Sequence, residues 1–135
     1  MMKDGKITRV TDVPGLGDPR RFGYAHAVIA RGMIFLAGQM GIDEDYQVVA
    51  HDFASQARTA LRNVSAALDQ CGASAADLAT MTVYLTDMRD SAQFFEIRKQ
   101  EFGDILVAST TVAVAALPLP GLRVEVQCVA LLPGT

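Results

Sequence analysis

Cysteine, histidine and clustered basic charge are all scarce in this chain, and each scarcity removes a class of function. Two cysteines, Cys71 and Cys128, are too few for a disulfide framework and lack the CxxC spacing of zinc or redox sites. Both read as small buried hydrophobes. His26 and His51 are isolated, with no second ligand at a metal-like spacing, so no metal is expected. Ser109 has no histidine at a triad spacing, which leaves a nucleophilic serine without its base. No Lys or Arg run exceeds Arg20-Arg21 and the net charge is −3, so a phosphate-tracking surface has little to be built from and no nucleic acid is expected. No apolar run approaches the ~18 residues of a membrane span. The stretch MMKDGKITRVTDVPGLGDPRR carries no apolar signal core, and a cytoplasmic location without membrane contact is the expectation.

What is present describes one folded domain. At 135 residues the chain falls in the single-domain range, so residues 1–135 are read as one unit. Half the residues are hydrophobic and a fifth charged, slightly apolar for a soluble protein, and a subunit interface would absorb the surplus.

Residues 1–23 give a short alternating piece at 6–10, an edge strand, followed by a loop rich in Pro and Gly. Two β-prone runs, 25–30 and 33–38, flank Arg31-Gly32 and predict a hairpin ending at Gly38, Gln39 and Gly41, with a turn at 43–45. Residues 52–71 place Phe53, Ala57, Leu61, Val64, Leu68 and Cys71 on one helical face, with Asp52 as cap and Gly72 as stop. Gln56, Arg58, Arg62, Asn63 and Asp69 lie largely off that line, on the side expected to be wet. Ser74 and Asp77 form a capping-box pair before an alternating strand at 81–86, broken by residues 87–90. Residues 91–102 repeat the helical spacing through Phe94, Phe95, Ile97 and Phe102, ending at Gly103. This order predicts an α+β fold, with two helices side by side on one face of a single mixed sheet.

The last segment, residues 109–132, reads STTVAVAALPLPGLRVEVQCVALL. Alternation on both sides of Pro118, Pro120 and Gly121 predicts two antiparallel strands joined tightly. In its second half Leu122, Val124, Val126, Cys128, Ala130 and Leu132 form the core face, and Arg123, Glu125 and Gln127 form the other. That polar face, beside the hydroxyls of Ser109, Thr110 and Thr111, is the lead for a site.

Several runs carry a resemblance. They are Gly23-Tyr24-Ala25-His26-Ala27-Val28, the stretch from Ile34 through Gly38-Gln39 to Met40, Gln56-Ala57-Arg58-Thr59-Ala60-Leu61-Arg62-Asn63-Val64 and Thr82-Val83-Tyr84-Leu85-Thr86-Asp87-Met88. Thr111-Val112-Ala113-Val114-Ala115-Ala116-Leu117-Pro118 and Val124-Glu125-Val126 complete the set. In this order and spacing, from about Gly23 to Leu132, the chain resembles the reactive intermediate deaminase family, also called the YjgF-like or Rid family. The resemblance implies a chorismate-mutase-like fold and a homotrimer whose sheets line a central β-barrel, with a small-molecule cleft at each subunit boundary. The face of Arg123, Glu125 and Gln127 would then look into the trimer.

One departure stands out. Active imine deaminases of the family hold the substrate carboxylate with an arginine in a run Ala-Arg-Ser-(Cys or Thr)-Val, and here that run is Ala108-Ser109-Thr110-Thr111-Val112. Ser109 stands in the arginine's place. A guanidinium binds a carboxylate through a fixed fork of charge-assisted bonds that a hydroxyl cannot reproduce. Little hydrolysis of 2-aminoacrylate or similar imino acids is therefore expected.

By the same resemblance Glu125 orients or activates the attacking water, a role that fits a carboxylate withdrawn from solvent. Its alternative is an ion pair with Arg123 or a partner-subunit cation. Tyr24 and Gly38 fall on cleft positions, and Ala37 replaces a common serine. Thr111 belongs to the Ser109 run. Arg89, in a loop that approaches the cleft in relatives, is a candidate replacement cation, or else a solvated loop arginine. Met33, Met40, Met81 and Met88 read as core or interface filler. The expected function is cofactor-independent hydrolysis or deamination of an imine or enamine other than 2-aminoacrylate. A non-catalytic metabolite-binding or regulatory trimer is the alternative, and the ribonuclease activity ascribed to some family members fits the acidic balance less well.

Overall fold

The computed structural model describes residues 6–134. Its strands are β1 Thr8–Val10, β2 Ala27–Ala30, β3 Met33–Leu36, β4 Gln39–Met40, β5 Leu78–Leu85, β6 Ala108–Ala113 and β7 Val124–Leu131, and its α-helices are α1 Phe53–Gln70 and α2 Ser91–Phe102. One sheet contains all seven strands in the order β1-β2-β3-β7-β5-β6, with β4 pairing β7 beyond the end of β3. Only β5 and β6 run parallel; the other pairs are antiparallel. This is the expected α+β architecture. The first five residues of the expected N-terminal segment lie outside the described part.

Local sequence sets most of these elements. Asp52 accepts a hydrogen bond from the Ser55 amide and caps α1. Cys71 ends the helix, and Gly72 follows at φ +78°. The β2–β3 turn uses Arg31 and Gly32, both at positive φ, the backbone that matches the twist of a two-residue hairpin. Ser74 and Asp77 close the reciprocal capping box.

The core lies between the helices and one face of the sheet. Val124, Val126, Cys128 and Ala130 of β7 are buried there with Met81, Val83 and Leu85 of β5. Phe53, Ala57, Leu61, Val64 and Leu68 of α1 cover them, and α1 also packs against α2. Full burial of a residue such as Leu61 stabilises by about 1.5–3 kcal/mol relative to exposure. Cys128 is buried and Cys71 half-buried, and both are free thiols. Among the described residues no helix is long and apolar enough to cross a membrane.

Four expectations need correction. The strands within residues 109–132 do not form a hairpin, because β5 lies between them, parallel to β6 and antiparallel to β7. The strand–helix–strand order of β5, α2 and β6 explains this. A crossover helix delivers β6 parallel to β5 on one edge, leaving the other edge for β7. Gln56 is not wet but fully buried, as described below. Phe95, counted with the apolar face of α2, is 41% exposed. Pairing also continues past Gly38. Phe35 faces Val129 while Gln39 faces Val126, so one extra residue is accommodated between β3 and β4. Such bulges bend a strand and re-aim its backbone, and this one brings Gly38 against β7.

Candidate functional site

Tyr24, Gly38 and Glu125 come together around one cavity of about 520 Å³. The rings of Phe22, Tyr24 and Tyr46 line it, with Ala37, Gly38 and Met40 at the bulge, Pro118 and Leu119 from the connection before β7, and Glu125. A neighbouring cavity of about 340 Å³ shares Gly38, Pro118 and Glu125 and adds Tyr84 and Gln127. Among the described residues no lysine, arginine or histidine lines either one.

Glu125 is held by the ladder, opposite Met40 on β4 and Tyr84 on β5. A β-carbon built at Gly38 would collide with its carboxylate, so only glycine permits this approach. Burial raises the Glu125 pKa above the ordinary carboxylate value. Among the described residues the carboxylate makes no hydrogen bond or ion pair. Arg123 does not supply one. Its guanidinium bonds Asp90 at 2.8 and 3.0 Å and lies 5.5 Å from the Phe53 ring centroid.

The aromatic wall is tied together by its own contacts. The hydroxyls of Tyr24 and Tyr46 hydrogen-bond at 2.7 Å, and Phe22 meets Tyr46 edge-on with centroids 4.7 Å apart. Burial first, then the bond to Tyr46 and the nearby charge of Glu125, push the Tyr24 pKa up, so its phenol stays protonated. Tyr46 sits at φ +59°, an uncommon backbone for a bulky side chain. The turn is fixed by Asp43, whose Oδ1 accepts from the amides of Asp45 and Gln47. Glycine at position 17 leaves room for the Tyr46 ring, with which a β-carbon there would collide.

Behind this wall His26 is buried, its Nε2 2.8 Å from the Gly17 carbonyl oxygen and its Nδ1 3.4 Å from Gln39 Nε2. These partners assign the proton to Nε2 and use the histidine as a brace. Gln56 braces the opposite wall. Its amide donates to the carbonyls of Ala50 and Gly121 at 2.9 Å each, and its oxygen accepts the Arg123 amide at 2.8 Å. It thereby fixes the end of the connection that carries Pro118 and Leu119.

The remaining expected residues fall elsewhere in the protomer. Ser109 and Thr111 pair with Met81 and Val83 on β5, which themselves face Cys128 and Val126. They therefore lie on the helix-side face of the sheet, opposite the face carrying Glu125. Ser109 is exposed on the outermost strand, beyond the cover of the helices. Arg89 donates to Asp87 at 2.7–3.1 Å and lines neither cavity. That pairing holds the Asp87 pKa down at about 2. Among the described residues no three His, Cys, Asp or Glu side chains gather as a metal site requires. Sequence reading missed Tyr46, which lies in a turn, and Phe22, which ends a short 3-10 helix, Pro19–Phe22. The one available signal was an aromatic residue in an Asp-rich turn.

The family model for endoribonuclease L-PSP matches residues 19–132. The chain belongs to that family, the Rid or YjgF family. A RutC family protein of Pyrococcus abyssi is 35% identical, over 79% of this chain and 84% of its own length. Human 2-iminobutanoate/2-iminopropanoate deaminase is 32% identical over 93% of this chain and 89% of its own. Among solved structures, Escherichia coli TdcF with bound serine superposes with a TM-score of 0.76 at 32% identity, covering 93% of this chain and 98% of that one. A Rid-family protein of Yersinia pestis gives 0.87 at 29% identity, covering 94% and 100%.

Proposed function

We propose that this protein is a Rid-like hydrolase of the C=N bond of an imine, or of an enamine through its imine tautomer, and that its substrate is not 2-aminoacrylate. The observation that carries the reading is Glu125, a half-buried carboxylate with no hydrogen-bonding or ionic partner among the described residues, set against the Gly38 backbone in a cavity walled by tyrosines. The deaminase name of the human relative supports the reaction class. Ser109, in the position that the family resemblance gives to an arginine, supports a different substrate.

The reaction is a sequence of proton transfers. Glu125 takes a proton as water adds to the carbon of the protonated imine, giving a neutral carbinolamine and a protonated glutamic acid. The acid returns that proton to nitrogen. It then accepts the hydroxyl proton as the C–N bond breaks, ammonia leaves and the carbonyl forms. Ammonia takes up the last proton as ammonium, Glu125 is restored, and no electrons are exchanged. A pKa raised by burial suits a group that must accept and return a proton near neutral pH.

In this reading the working unit is a homotrimer with its cleft at the subunit boundary. Ser109 and Thr111 face away from Glu125 within one protomer, so they reach a Glu125 cavity only from a neighbouring copy. The test generates imines in situ from an amine panel and measures ammonia release with wild type and Glu125→Gln. Catalysis predicts release above the buffer rate that the variant loses while ligand binding persists. Binding without turnover in either protein would make the chain a metabolite-binding trimer instead. Cleavage of RNA by wild type but not by Glu125→Gln would overturn the reading altogether.

A further inference from the structure

Resting on the reading of Glu125 as the centre of the site, we infer that the cavity recognises a positively charged nitrogen on an apolar or aromatic body and rejects a carboxylate. Its substrate class is thus a protonated imine derived from a simple amine, rather than an imino acid.

Three observations carry this. Glu125 is an anion without a cationic or hydrogen-bonding partner among the described residues, because Arg123 is occupied by Asp90. A carboxylate withdrawn from water favours a cation that neutralises it and disfavours a second anion. Three rings, Phe22, Tyr24 and Tyr46, line the same space, and the electron-rich face of an aromatic ring attracts cations. Phe22 already has one, since the guanidinium of Arg21 lies 5.4 Å from its centroid. Third, among the described residues no basic side chain lines either cavity that Glu125 touches, so none of the lining residues compensates a ligand carboxylate. The strained turn that holds Tyr46 inward shows that this wall is built, since a tyrosine at φ +59° persists only when its surroundings fix it.

The step balances for this class as for any imine: the protonated imine and water give an aldehyde and ammonium, with Glu125 carrying the protons between them. The aldehyde and amine carbon skeletons are identical, so saturated amines serve as stable probes of the same pocket.

The test compares three molecules sharing a phenylethyl body: 2-phenylethylamine, 2-phenylethanol and 3-phenylpropanoate. Ligand-observed NMR or calorimetry on the full chain in its native assembly should rank them ammonium, alcohol, carboxylate, with at least a tenfold difference between first and last. Glu125→Gln should abolish the ammonium preference while keeping alcohol binding. Phe22 is 58% exposed, so Phe22→Leu should fold normally. It should weaken the amine about threefold more than the alcohol, as expected for loss of one cation–ring contact. The imine made from 2-phenylethylamine by an amine oxidase should release ammonia and phenylacetaldehyde faster with the protein than without. Equal binding of alcohol and amine would overturn the inference. So would tighter binding of 3-phenylpropanoate, and its loss in Arg21→Gln would identify Arg21 as an anion partner. In both cases a functional Glu125 site would stand. Binding of none of the three, with no imine turned over, would overturn this inference and the hydrolase reading together.

Discussion

Gly38 and Glu125 define each other's place, because a β-carbon at position 38 would overlap the carboxylate and lie within 2.8 Å of its Cδ. Gly38 does not use the left-handed backbone that favours glycine, so the close approach is what demands it. The colliding atoms belong to the far end of a flexible side chain. Gly38→Ala should therefore fold, with Glu125 turned into another rotamer at a cost of about 1 kcal/mol. Turnover should nevertheless fall as far as in Glu125→Gln, and the preference for an ammonium ligand should be lost as it is there. Thermal melting beside turnover and ligand titrations separates the two effects, and a variant that melts normally and keeps both wild-type turnover and the ammonium preference would show that the position of the carboxylate is unimportant.

The raised pKa of Glu125 gives a pH signature with a definite sign. In the folded protein the group holds its proton to a higher pH than in the unfolded chain. Between the two values the native state binds more protons, so stability falls as pH rises through that window. Glu125→Gln removes the penalty. The variant should melt above wild type at neutral pH, and the gap should close as pH drops below the ordinary carboxylate range. Catalysis runs the other way, since the base works only when ionised. The acid limb of kcat/KM should then lie above the pH at which an unperturbed glutamate titrates, and melting and rate profiles collected on one pH series check both directions.

Gln56 offers the clearest stability test. Replacing it with leucine leaves the Ala50 and Gly121 carbonyls and the Arg123 amide without the partner they have now. Each of these three part-buried hydrogen bonds contributes about 0.5–1.5 kcal/mol, so a total loss of about 1.5–4.5 kcal/mol is expected from chemical denaturation. The wall of Pro118 and Leu119 should loosen as well, weakening ligand binding beyond what the change in folded fraction explains. Unchanged stability would mean that water satisfies these groups.

Much of the fold is legible because the information is local. The α1 face, its Asp52 cap, the Arg31-Gly32 turn and the alternation of β7 each depend on neighbours within a few residues. Pairing partners are not local, and the β6–β7 hairpin failed for that reason. Two alternating runs announce strands but not that β5, more than twenty residues upstream, will lie between them. Gln56 was misplaced because a helical wheel knows only the sheet-facing side, whereas the connection before β7 covers this residue from another direction. At the site, Tyr24, Gly38 and Glu125 came from family resemblance, and their convergence is visible in one protomer. Tyr46 was invisible because its role depends on a turn dihedral and on the space left by Gly17.

Ser109 allows the substrate reading to be tested by gain rather than loss. The residue is exposed on the outermost strand, so an arginine there meets no packed core and Ser109→Arg should melt as wild type does. A guanidinium brought to the cleft of a neighbouring copy would offset the repulsion between Glu125 and a ligand carboxylate and add a bidentate, charge-assisted contact. The variant should gain at least tenfold in release of 2-oxobutanoate and ammonia from freshly generated 2-iminobutanoate, and its preference for 2-phenylethylamine over 3-phenylpropanoate should narrow. The same gain should disappear in a Ser109→Arg, Glu125→Gln double variant, because the arginine binds but moves no proton. If Ser109→Arg folds, assembles as wild type and gains nothing, then position 109 does not reach the Glu125 cavity in any subunit, and the selectivity of the site resides wholly in the carboxylate and its aromatic wall.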